Sequence, residues 1–241
     1  MHAVMGRSKR KKKQARWHRW LRGLGFAALG LLVASVLLVL PLRWFDPPTT
    51  AFMLQDPSGR DPMLHEWLEW ESLGTPMALA VVGAEDQRFA DHFGLDLVSI
   101  RKSIDERDDR GYVRGASTIS QQTAKNLFLW PGRSFVRKGL EAWLAVVIEI
   151  CLPKRRILEI YLNIVELGPG IYGAAAASQY YFGKPPTELY DRQAALLAAV
   201  LPSPRRYHVN DPSEYVRERR DWILTQMQRL RREGWITRIV Q

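Results

Sequence analysis

One cysteine, Cys151, occurs in the 241 residues, so no disulfide can form within the chain, and its place in the apolar stretch LAVVIEICL makes packing its ordinary use. No Cys/His cluster has metal-ligand spacing, and internal repeats, low-complexity runs and sustained strand alternation are all missing. Acidic residues are absent from the first 22 positions, which carry Arg7, Lys9, Arg10, Lys11, Lys12, Lys13, Arg16, Arg19 and Arg22. Those nine cations hold nearly all of the formal net charge of +10, leaving 26 basic against 25 acidic residues in the remainder. A basic domain able to grip a phosphate backbone is therefore excluded, and no nucleic-acid partner is expected.

What is present begins with 20 uncharged residues, Gly23 to Leu42, about the length that crosses a bilayer as a helix. A cleaved signal peptide is the rival reading. The run is long for that, however, and Pro41, Leu42, Arg43 and Trp44 follow it in place of an Ala-x-Ala site. Nine cations before the run and Arg43 alone just after it predict a cytoplasmic N-terminus, with Trp17, Trp20 and Trp44 at the flanks. The expected organisation is a basic cytoplasmic tail (1–22), a transmembrane helix (23–42), a linker rich in Pro, Asp and Thr (43–60) and a folded extracytoplasmic domain (61–241). That domain reads as mainly α. Helix starts recur at Thr75-Pro76, Asp96, Ser117, Ser134, Thr187 and Ser213. The last opens an amphipathic helix with Tyr215, Trp222, Ile223, Met227 and Leu230 near one face and Arg217, Arg219, Arg220 and Arg229 largely elsewhere.

Three stretches carry chemistry. In VVGAEDQRFADHFG an apolar helix starting at Thr75-Pro76 stops on Glu85 and Asp86, near its C-terminal end, where the helix dipole disfavours negative charge. The pair marks either the solvated end of a core helix or a group placed there for chemistry. In GASTISQQTAKNLFLWPGRSF a helix begun at Ser117 would align Ser117, Gln121 and Lys125 on one face beside Gln122, a donor strip opening on a helix N-terminus that favours an anion. Phosphate or pyrophosphate is the natural guest, with Arg133, Arg137 and Lys138 following; an ordinary capped and solvated helix face is the plainer reading. Next, GLEAWLAVVIEICL (139–152) carries charge only at Glu141 and Glu149 and reads as a helix buried through the domain centre, with Arg137 placed to pair with Glu141. Glu85 and Glu141, with the anion-binding strip between them in sequence, suit sugar chemistry with a phosphate leaving group. In the third stretch, 154–184, Ile157, Leu158, Tyr161 and Leu162 form a packing stripe, while Asn163, Glu166 and Lys184 are weaker substrate candidates.

In order and spacing, EDQRFADHFG, GASTISQQTAKNLFL, RKGLE, KRRILEIYLN with GIYGAAAASQYYFGK, and AALLAAVLPSPRRY resemble the motifs of the family 51 glycosyltransferases, which polymerise lipid II into peptidoglycan. The similarity covers roughly residues 60 to 230. With no Ser-x-x-Lys penicillin-binding module after the last motif, the chain resembles the monofunctional form. The resemblance implies a lysozyme-like, mainly helical, bilobal domain whose smaller lobe dips into the membrane, with NLFLWPGRSF as a candidate lipid contact. It implies Glu85 as general base and Glu141 as the glutamate assisting at the donor. Asp86, Phe89 and His92 would shape the site; Ser117, Gln121, Gln122, Lys125 and Asn126 match the second motif, Arg133 a donor-phosphate position, and Arg137 with Lys138 the opening of the third. The implied partners are lipid II, undecaprenyl-pyrophosphate-linked glycan, the bacterial cytoplasmic (inner) membrane and other cell-wall synthesis proteins. A Mg²⁺ or Mn²⁺ ion could assist, although no metal motif is visible. A lytic enzyme cleaving finished glycan and a non-catalytic membrane-anchored scaffold are the alternatives.

Overall fold

The computed structural model describes residues 4–101, 117–132 and 134–240 and divides into two compact units, Met1–Pro41 and Leu42–Gln241. In the first unit, α1 (Val4–Val39) carries the basic stretch and most of the apolar run as one helix. The segment Arg22–Arg43, 22 residues with a mean hydropathy of 2.5, is long and apolar enough to cross a membrane. Leu24, Phe26, Leu29 and Leu37 are exposed along it. Ser35 donates its hydroxyl to the Leu31 carbonyl at 2.7 Å, so this polar group is satisfied within the helix, as an apolar medium requires.

The second unit is built from α2 (Ala51–Leu54), α3 (Thr75–Glu85), α4 (Ile119–Phe128), α5 (Phe135–Cys151), α6 (Lys154–Ile164), α7 (Gly173–Phe182), α8 (Asp191–Ala199), α9 (Glu214–Arg232) and α10 (Trp235–Val240). Segment 43–60, expected as a loose linker, holds a capped turn of helix: the Thr50 hydroxyl accepts the Met53 N–H at 3.1 Å and Met53 is buried. Farther on, Asp56 accepts both the Ser58 N–H and the Arg205 guanidinium at 3.2 Å. Composition signals a loop here, but Thr and Asp turn chemistry and one buried apolar side chain order it.

Helix α3 packs against α8 and α9 and is buried all round from Met77 to Gly83, which its lack of charge allows. Its N-cap is Gly74 at φ 75°, not Thr75, and that position has to be glycine, because a Cβ there would stand 2.6 Å from the Pro186 carbonyl oxygen. On α9 the buried stripe is Val216, Arg220, Ile223, Met227 and Leu230, whereas Tyr215 and Trp222, expected on that face, are exposed. The true stripe runs one position over from those two aromatics, and Arg219, three residues after Val216, borders it. A second group joins α4 to α5 and α6. Contrary to expectation, α5 is buried on one side only: Glu141, Leu144, Ala145, Ile148 and Cys151 face inward, while Phe135, Val136, Leu140, Trp143 and Ile150 are exposed. Its apolar composition reflects two apolar faces rather than a central position.

A small sheet closes this unit, with β3 (Ile171–Tyr172) parallel to β1 (Leu64–His65) and antiparallel to β2 (Glu166–Gly168). Asn163, a weak substrate candidate from sequence, is fully buried: its Oδ1 accepts the Leu68 N–H and its Nδ2 donates to the Leu68 and Glu159 carbonyls, each at 2.9 Å. Glu166 accepts from Arg205 at 2.7 Å, and the Lys184 ammonium lies 4.1 Å from the Tyr190 ring centroid. Gly173 opens α7 at φ 83°, where a Cβ would come within 2.5 Å of the Asn163 carbonyl oxygen. Backbone cannot yield as a side-chain tip can. Gly173→Ala should therefore cost about 2–4 kcal/mol, read as a lower denaturant midpoint with an unchanged slope.

Candidate active site

Glu85 is the last residue of α3 and Asp86 its C-cap, so two adjacent carboxylates face a helix end that repels them. Each is stabilised differently. The Asp86 Oδ2 accepts the Ile119 N–H at 3.0 Å, placing the carboxylate at the N-terminus of α4, where the dipole favours it. His92 Nε2 lies 2.9 Å from both Asp86 oxygens, and both side chains are buried. Phe89, fully buried, meets the His92 ring edge-on. Asp86, expected at the substrate, thus joins α3 to α4, and His92, likewise expected there, gives its Nε2 to that carboxylate.

This answers the anion expected at the α4 N-terminus: the Asp86 carboxylate already occupies it. The helix also starts later than expected, with Thr118 as N-cap, its hydroxyl accepting the Gln121 N–H at 3.2 Å. Gln121 Oε1 accepts the Thr118 N–H at 3.0 Å in return, a capping box that commits the Gln121 amide oxygen to the start of the helix. Ser117 lies outside the helix and accepts from Lys138 Nζ at 2.8 Å. Asn126 is buried on α4. Gln122 and Lys125 complete the expected strip.

Gln122 turns toward Glu85, donating from Nε2 to Oε2 at 2.7 Å, while its Oε1 accepts the Tyr161 hydroxyl at 3.0 Å. Burial, with the charges of Glu85 and Asp86, pushes the Tyr161 phenol well above its ordinary range, so it stays a donor and orients the Gln122 amide. The other Glu85 oxygen, Oε1, accepts from Arg219 Nη2 of α9 at 3.2 Å. The Glu85 side chain keeps 15% of its surface exposed, so the carboxylate is held by two donors and still reachable.

Glu141 is buried on α5, as sequence suggested, and its expected partner is in place: Arg137 Nη1 donates to Oε2 at 2.8 Å, and Lys138 bonds Oε1. Glu149, the other carboxylate of this helix, accepts from Ser120 at 2.5 Å and Lys154 at 2.6 Å. Lys125 lies in the fields of both glutamates. Burial lowers its pKa, the Glu141 and Glu85 charges oppose that, and Arg137 and Lys138 reinforce it. Its ammonium also stands 5.2 Å from the Phe52 ring centroid. Sequence pattern gives Phe52 no role, Tyr161 only a place in a packing stripe and Arg219 only a place among the arginines of an amphipathic helix, since none lies in the strip that signals chemistry. Arg133 lies outside the described residues.

The pairing of Glu141 sets the sign of a stability effect. A lone charge on an apolar helix would be relieved by Glu141→Gln, but here the substitution strands a mostly buried Arg137. With Lys138 half exposed the loss is moderate. Glu141→Gln should destabilise by about 1–3 kcal/mol, visible as a lower melting temperature.

Residues 55–228 match the family model described as Transglycosylase. A biosynthetic peptidoglycan transglycosylase of Marinomonas sp. (strain MWYL1) is 52% identical over 220 residues, covering 91% of this chain and 95% of that protein. A protein of the same name from Stutzerimonas stutzeri (strain A1501) is 50% identical over 217 residues (88% and 90%). Another, from Xanthomonas euvesicatoria pv. vesicatoria (strain 85-10), is 46% identical over 237 residues (95% of each). A match across most of the chain, with relatives near half identity over nearly their whole length, establishes that this chain belongs to the transglycosylase family.

Proposed function

We propose that this protein is a membrane-anchored peptidoglycan glycosyltransferase that polymerises lipid II, with Glu85 as general base. Glu85 takes the proton of the 4-hydroxyl on the N-acetylglucosamine of lipid II. The oxygen attacks C1 of the N-acetylmuramic acid at the reducing end of the growing chain, inverting it. The bond from C1 to the pyrophosphate breaks, and its electron pair leaves with undecaprenyl pyrophosphate. Arg137 and Lys138 already hold Glu141, so in this reading Lys125 and Arg133 receive the departing charge, as preorganised cations do for phosphate leaving groups. The observation that carries the proposal is Glu85 itself: a carboxylate fixed by Gln122 and Arg219, partly exposed, and in the field of a desolvated lysine. The apolar Trp130, Phe135 and Val136, exposed beside this chemistry in sequence, would meet the lipid that carries the substrate.

The membrane-spanning helix keeps enzyme and lipid-linked substrate on one surface, with the N-terminal cations in the cytoplasm and the catalytic unit outside the inner membrane.

With purified full-length protein and lipid II, product gels should show strand synthesis. Glu85→Gln should lower the rate about 10²- to 10⁴-fold, as loss of a general base does. Lys125→Ala should cost at least about tenfold through the lost charge-assisted contact. Wild-type rates in either variant would remove that residue's role, and cleavage of finished glycan with lipid II left untouched would replace transfer by lysis. A reporter active only outside the cytoplasm, fused after Gln241, should be active; activity of a cytoplasm-only reporter instead would invert the orientation.

A further inference from the structure

We infer that Arg219, on α9, is a positioning residue for the Glu85 carboxylate; the inference rests on the reading of Glu85 as base. Arg219 Nη2 reaches two acceptors at the end of α3: Glu85 Oε1 at 3.2 Å and the Ala84 carbonyl oxygen at 3.4 Å. Ala84 lies in the last turn of that helix, where carbonyls lack intrahelical partners and a cation offsets the dipole. One guanidinium therefore supplies what makes a carboxylate tenable at this position.

Two further observations separate this from a chance surface pair. Arg219 lies on an element remote in sequence but packed directly on α3, and its side chain is 21% exposed against 15% for Glu85. Its Nε–H is buried with no hydrogen-bond partner. The geometry uses the far end of the guanidinium at the expense of the near one.

The consequence is chemical. Gln122 takes one lone pair of Oε2 and Arg219 one of Oε1, so each oxygen keeps one lone pair and the carboxylate plane is set from two sides before substrate arrives. Gln122 alone would leave rotation about the terminal bond free. A base misaimed toward the acceptor hydroxyl loses rate in the chemical step more than in binding. Arg219 touches neither sugar nor phosphate in this account; it acts through Glu85.

The test compares Arg219→Ala, Arg219→Lys and Arg219→Gln in the full-length protein, by steady-state turnover of lipid II, with Glu85→Gln alone and Glu85→Gln/Arg219→Ala as partners. Arg219→Ala should lower kcat at least about tenfold, the worth of one charge-assisted hydrogen bond. KM should stay within about threefold. Arg219→Lys, which keeps the charge, should recover more activity than Arg219→Gln, and the double variant should be no slower than Glu85→Gln. Wild-type kcat in Arg219→Ala beside an inactive Glu85→Gln would overturn the inference and leave the base assignment standing. So would a loss wholly in KM, or a double variant slower than Glu85→Gln. Should Arg219→Ala not fold, the lysine and glutamine variants decide, and equal activities in those two would also overturn it. Wild-type turnover in Glu85→Gln would instead remove the base assignment, and this inference with it.

Discussion

Placing negative charge at the C-terminal end of a buried, uncharged helix is the constraint on which this site depends. From Met77 to Gly83 helix α3 is closed off from solvent by α8 and α9, so its dipole is poorly screened and its end resists Glu85 and Asp86. Two separate helices meet that cost. The N-terminus of α4 takes Asp86 through the Ile119 N–H, and α9 brings Arg219 to Glu85. Asp86 is consumed in the bond between helices and buried with His92, which leaves its neighbour as the reachable carboxylate.

The second glutamate shows the complementary arrangement. Glu141 is more deeply buried than Glu85 and is held by two cations from its own helix, Arg137 and Lys138, one and almost one turn earlier. Lys138 extends the contact to Ser117, just ahead of the α4 cap. Lys125, on α4, lies within reach of both glutamates' fields and is the cation whose charge is weakened by burial. A desolvated ammonium with incomplete compensation gains most from an arriving anion. For the proposed reaction this favours the pyrophosphate at Lys125 over the α4 N-terminus, where the Asp86 carboxylate sits.

Much of this was legible in the residues. Uncharged composition predicted the burial of α3, the four-residue spacing of Arg137 and Glu141 allowed their pairing, and 20 uncharged residues after a basic tail predicted a helix able to cross a bilayer. Where the reading went astray, a second use competed for the same residue. Gln121 looked like a donor at helical spacing from Lys125 and is part of a capping box with Thr118. The apolar length of α5 looked central and is half exposed. Asn163 looked available and is a clamp on Leu68. Pattern records that a residue is polar or apolar, and partners at a distance of many residues determine what its atoms do.

By itself the sequence determined that the domain is mainly helical, where charge is missing, and which two glutamates stand against apolar surroundings, because these follow from local propensity and periodicity along one element; it missed the helical turn at Ala51–Leu54 and set the start of α8 at Thr187 where the structure starts it at Asp191. Only the tertiary structure decided which glutamate stays reachable and what holds it. Tyr161, Gln122 and Arg219 come from three helices, and Arg219 lies 134 positions from Glu85. No periodicity within a helix encodes such a meeting. It arises when α3 is buried against α9 and joined to α4, since a carboxylate at that helix end must then draw its donors from whatever elements packing has placed beside it.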